Sequence, residues 1–170
     1  LNGEVTPADQ TAEIMKKELQ WCKSVLDASD KKWRIVMTHA GPYTSNHDPL
    51  DVRDYYINDS EYSLDAMGVD LFLNGHDHIY IRSTVKNDIK VNTGDGTTYL
   101  TGGTVGNKFY EYIPARSDYS TDFYTDEEDK QVFSIIEFSE DSIKGTAYQK
   151  QDADNWNSFK AVDSYEIRNT

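Results

Sequence analysis

Val69-Asp70-Leu71-Phe72-Leu73 is a short apolar run broken by a single acid, and it empties directly into Asn74-Gly75-His76-Asp77-His78. A run of this length is too short for a helix and suits a strand buried on both faces, as in a parallel sheet. A second run of the same kind, Trp33-Arg34-Ile35-Val36-Met37, leads into Thr38-His39-Ala40-Gly41-Pro42-Tyr43. Each strand thus delivers histidine into a loop, the usual place for chemistry on a rigid scaffold. Groups from two strands converge only where the strand ends meet, so the two runs are expected side by side.

Outward from this pair, Thr6-Pro7 reads as a cap and first-turn proline, followed by an apolar stripe from Ile14 to Leu26 at helical spacing. Met15, Leu19, Cys22 and Leu26 form that stripe, so the lone Cys22 is expected to pack as a small apolar side chain. Residues 44–59 are polar and irregular, and Ser60 to Met67 are expected to form a short helix closed by Gly68. Ile79–Val85 and Thr97–Thr101 read as strands, with a glycine-rich loop at Gly102, Gly103 and Gly106. Residues 111–130 look like a long surface excursion. Strands are then expected near Gln131–Phe138 and Ser142–Gln149, joined by Ser139-Glu140-Asp141, and near Phe159–Ile167. Helix early and strands late predict one α/β domain, a mixed sheet with covering helices.

Composition narrows the partners. The 170 residues carry 17 Lys+Arg against 30 Asp+Glu, a net charge of −13, which disfavours nucleic acid and anionic membranes as long-range partners. The 37% hydrophobic content and 12 Tyr indicate a folded, β-containing chain and not an acidic tail. No run approaches the roughly 18 apolar residues of a membrane span, and no signal peptide is visible. The single Cys excludes an internal disulfide. Because Leu1 stands where an initiator Met would, the chain is expected to be processed or excised.

All 4 histidines, His39, His47, His76 and His78, fall in the first half of the chain. Neutral imidazole ligates zinc, iron or manganese, and strand ends hold such ligands firmly. An extended backbone would put His76 and His78 on one face, and Gly75 is expected to allow close backbone approach. The plainer alternative is that His76-Asp77-His78 is a polar turn and His39 merely ends a strand. Three histidines without a neighbouring carboxylate also supply only half of a two-metal site.

Taken together, Thr38-His39-Ala40-Gly41-Pro42 and Asn74-Gly75-His76-Asp77-His78 resemble the last two motifs of the calcineurin-like metallophosphoesterases. Gly75-His76-Asp77-His78-Ile79-Tyr80-Ile81-Arg82-Ser83 is similar to the purple-acid-phosphatase branch, as are Thr98–Gly103 and Gly106–Tyr110. The resemblance implies a binuclear centre of Fe, Zn or Mn in which His39 and His76 bind one ion and His78 the other. His47 would contact the phosphate and protonate the leaving oxygen, its alternative being an exposed loop residue. Asp77 would point away from the metals toward supporting or solvent contacts, Tyr80 and Arg82 would pack and pair beneath the site, and Asn74 would end the strand.

The family's three earlier motifs, which bring the bridging Asp and the Asn ligand, have no counterpart in this sequence. The resemblance therefore implies the C-terminal half of a four-layer α/β/β/α sandwich over residues 1–150, with 151–170 as its final strand or the start of a linker. The parent would hydrolyse a small phosphate ester. This chain alone would be inactive, would lack the N-terminal half of its own domain as a partner, and would self-associate through an exposed edge. The competing reading is a noncatalytic cell-surface module that keeps the fold. The acidity and the Tyr-, Asn-, Asp- and Thr-rich loops suit an exported bacterial surface protein.

Overall fold

A computed structural model describes residues 8–46, 50–113, 121–125 and 129–168. Helix α1, Ala8–Asp27, buries Met15, Leu19 and Cys22 on one face and carries the i,i+4 pairs Glu13–Lys17 and Lys23–Asp27 on another. Burial holds the Cys22 thiol above its ordinary pKa, in keeping with an inert packing role. Strand β1, Ile35–Met37, and helix α2, Leu50–Ile57, follow, and then strand β2, Leu71–Asn74. The hairpin of β3, Tyr80–Lys86, and β4, Ile89–Lys90, precedes β5, Thr97–Gly102, and β6, Thr121–Tyr124. The chain ends in β7, Val132–Phe138, β8, Ser142–Lys150, and β9, Phe159–Arg168.

The first sheet has the order β1-β2-β5-β3-β4, with β6 also on β3. β1, β2 and β5 run parallel, while β3 is antiparallel to β5, β4 and β6, so the sheet is mixed. The register Ile35↔Leu71 and Met37↔Leu73 brings the ends of β1 and β2 level, as the two histidine-bearing runs required. β7-β8-β9 form a second, antiparallel sheet.

Alternation along the central strands divides the core in two. Val36, Phe72 and Tyr99 join Met15, Leu19, Tyr56 and Leu64 under the helices. Their neighbours Leu71 and Leu100 join Tyr80, Val132, Ile143 and Tyr165 between the sheets. The described layers are thus helix, sheet and sheet. Arg82 ties the sheets together: Nε and Nη2 donate to the Asp163 carboxylate at 2.7 and 3.1 Å, and Nη1 donates to Asp122 at 3.1 Å. Tyr80 adds its hydroxyl to Asp163 at 2.9 Å. Packing and pairing were the roles expected of both residues.

Four local expectations fail. A helix, α2, lies within the segment read as irregular, while residues 60–67 form turns that Gly68 closes at φ +65°. Among its described side chains α2 commits only Tyr56 fully to the core, so no helical periodicity marks it. The segment read as a surface excursion contains β6, which adds to the sheet through β3. Residues 75–79 are bent and not extended, with His76 itself at φ +68°. Phe159–Arg168 pairs with β8 along its length, so the last segment builds sheet.

Candidate functional site

The parallel ends of β1 and β2 bring two loops together. Thr38 N donates to the Leu73 carbonyl at 3.0 Å, and Gly75 N donates to the His39 carbonyl at 3.0 Å, so the pairing continues past both strands. Asn74 is buried, with its amide donating to Thr101 Oγ1 at 3.0 Å and to the Gly75 carbonyl at 3.2 Å. Gly41 lies flat against it, and a Cβ there would stand 2.4 Å from Asn74 Cγ. The glycine needed for close approach is therefore Gly41. A Cβ on Gly75 would meet nothing nearer than 3.9 Å. Asn74 does more than end a strand, since it links β5 to the histidine turn.

On this frame His39 Nε2 stands 3.1 Å from His76 Nδ1, the rings being edge to face with centroids 5.0 Å apart. The left-handed backbone of His76 is uncommon for a residue with a side chain and aims its ring across the turn. His78 Nδ1 donates to the Lys108 carbonyl at 2.8 Å, and its ring packs against Tyr110 with centroids 4.8 Å apart. Asp77 is fully buried. Its carboxylate accepts from Ser45 N at 2.6 Å and Asn46 N at 2.9 Å, which clamps the His39 loop onto the His76 turn. That is a supporting contact, and the alternative of solvent exposure is excluded. His47 lies outside the described residues.

Two nitrogens bound to one tetrahedral ion at roughly 2.0–2.1 Å lie on the order of 3.3 Å apart, so the 3.1 Å spacing of His39 and His76 fits a shared ion. With Nδ1 donating to a carbonyl, His78 keeps its lone pair on Nε2, as a ligand requires. Among the described residues no group of three or more His, Cys, Asp or Glu side chains could hold an ion by itself.

Sequence reasoning foresaw a supporting contact for Asp77 but not the Ser45 and Asn46 amides it binds, and it missed the part played by residues 104–113. Ile113 N donates to Ser45 Oγ, and Asn46 Nδ2 to the Glu111 carbonyl, so this loop is strapped across the site. A signal was available, because a strand paired beside β2 must release its loop beside the histidines.

The calcineurin-like phosphoesterase family model matches residues 2–80, the segment holding all four histidines. No curated protein matches the sequence. Among solved structures, GAP50, described as the anchor in the inner membrane complex of Plasmodium, superposes with a TM-score of 0.63 at 18% identity over 92% of this chain. The purple acid phosphatase PPD1 from yellow lupin (Lupinus luteus) seeds gives 0.59 at 16% identity over 88% of this chain, and PhoD gives 0.55 at 13% over 89%. The chain carries the fold of these metallophosphoesterase-like structures, and its residues 2–80 are similar in sequence to the calcineurin-like phosphoesterases. The lupin phosphatase thus shares the fold of this chain. This superfamily implies, in general terms, a binuclear metal centre. The chain spans 44% of GAP50, 35% of PhoD and 28% of the lupin phosphatase.

Proposed function

We propose that this chain is the C-terminal half of a phosphoesterase that cleaves small phosphate esters at a binuclear centre. The observation that carries the reading is the 3.1 Å approach of His39 Nε2 to His76 Nδ1, with His78 two residues on. His39 and His76 hold one ion and His78 the other, the metals being drawn from Fe, Zn and Mn. When bound, such a pair supplies Lewis acidity and a nucleophile at neutral pH. The chain's own part is to fix these nitrogens, through Asp77 and the Asn74–Gly41 contact, and to place His47 to donate a proton to the leaving oxygen.

The remaining ligands come from an upstream half of the same domain, which docks along β1. Ile35 and Met37 are exposed on this edge strand, Ile14, Trp21 and Val25 on the neighbouring helix, and Phe138 at the end of β7. Trp33 Nε1 donates to the Ser139 carbonyl, which brings the β7 end beside β1. Together these side chains offer apolar surface on all three described layers. A bacterial cell surface is the proposed location.

Metal analysis and hydrolysis of a chromogenic phosphate monoester, on this chain and on a protein extended upstream, test the reading. The extended protein is expected to hold two ions and turn over, and His76→Ala to abolish both, while the 170-residue chain stays inactive. An active 170-residue chain would overturn the half-site argument. A metal-free, inactive extended protein would favour the noncatalytic module, a reading to which the shared fold of GAP50, described as an anchor, lends support.

A further inference from the structure

We propose that residues 108–113 form a positioning clamp for His78, with Tyr110 as its working side chain. The clamp deepens the metal reading above, though its own geometry stands apart from it. The Lys108 carbonyl takes the Nδ1 proton of His78 at 2.8 Å, and the Tyr110 ring covers the imidazole at 4.8 Å between centroids. The Lys108 ammonium closes the stack from beyond, 4.9 Å from the centre of the Tyr110 ring. Backbone alone does not hold this arrangement. Residues 111 and 113 are strapped to Asn46 and Ser45, whose amides are in turn held by Asp77, the residue between His76 and His78. The circuit closes on itself: Asp77 fixes residues 45–46, these fix 111–113, and the loop returns through Tyr110 and Lys108 to His78.

The chemical consequence is a choice of tautomer. Free neutral imidazole side chains favour the proton on Nε2, which would turn a donor outward and remove the lone pair. A carbonyl at Nδ1 selects the other form and presents Nε2 as the only free lone pair. The bond is partly open to water, so the ring contact is what keeps solvent from competing for the same carbonyl. Tyr110 is therefore a positioning residue that acts through His78.

The test uses the 170-residue chain without metal, labelled with ¹⁵N at histidine and held at mildly alkaline pH. Two-bond and three-bond ¹H–¹⁵N correlations report the tautomer of His78, assigned by its loss in His78→Gln. Expected is the Nδ1–H form in the wild type and in Tyr110→Phe, and a shift toward Nε2–H in Tyr110→Ala. A wild-type ring in the Nε2–H form would overturn the clamp at once, before any variant is made. An unchanged Nδ1–H signal in a folded Tyr110→Ala would remove Tyr110 from it. In the upstream-extended protein, Zn²⁺ titration is expected to show about tenfold weaker binding for Tyr110→Ala and none of that loss for Tyr110→Phe. Equal Zn²⁺ affinity in all three would overturn the clamp's role toward the metal. A locked tautomer in a protein that takes up no metal would sink the phosphoesterase reading and leave the clamp standing.

Discussion

Gly41 is the residue on which the two histidine loops depend most directly. A methyl group there would press on Asn74 Cγ, Oδ1 and Nδ2 at 2.4–2.6 Å. A flexible side-chain end would swing away at little cost, but Asn74 is buried and held by Thr101 and the Gly75 carbonyl. Gly41→Ala is therefore expected to destabilise the fold by about 1–3 kcal/mol, in the range of overpacked cores. Urea unfolding checks this, and the His39–His76 approach should loosen with it, seen as changed ring shifts of both histidines. A neutral substitution would mean that Asn74 is not the pin described. At this scale the sequence was half legible. Histidines at the ends of two apolar runs announce a site from residue type alone. Which glycine is tight, and which amides Asp77 will bind, depend on contacts between segments about 30 residues apart, and no local pattern encodes those.

Among the elements, legibility followed hydrophobic patterning. β1, β2 and β7 carry dense apolar runs and were readable to within a residue or two, whereas α2 rests on Tyr56 in the core, and β6 is only four residues long, Thr121–Tyr124, none of them fully buried. The tyrosines that lock these elements also set a response to alkali. Burial pushes Tyr56 and Tyr165 up to about 12 from an ordinary 10.0. It pushes Tyr80 and Tyr99 higher still, with the Asp163 carboxylate adding to the shift of Tyr80 and Asp65 to that of Tyr99. Each folded pKa lies above its unfolded value, so the folded state keeps protons that the unfolded chain releases. The stability these four contribute is whole below pH 10 and is lost as pH rises through 12 and beyond. Of the 12 tyrosines in the chain, at least these four are expected to ionise only together with unfolding. Tyrosinate absorbance followed beside circular dichroism checks it: full ionisation with secondary structure intact would contradict the burial described.

At the scale of the whole molecule the exposed apolar side chains are unevenly placed. Met37 is 71% exposed, Trp21 64% and Phe138 53%, and they belong to three successive layers. The net charge of −13 opposes association of two copies, while an unpaired edge strand flanked by such side chains promotes it. Screening by salt weakens the first effect and leaves the second, because Coulomb repulsion between exposed charges fades beyond roughly 8 Å at physiological ionic strength and burial of apolar surface does not. The 170-residue chain is therefore expected to self-associate through this side, and more strongly as salt is raised. Sedimentation velocity should show a dimer or larger species that Met37→Lys together with Trp21→Glu reverts to monomer without loss of helix or sheet signal. A wild-type chain that stays monomeric across the salt range would show that the β1 side is not adhesive, and would remove the main surface argument for an upstream half that covers it.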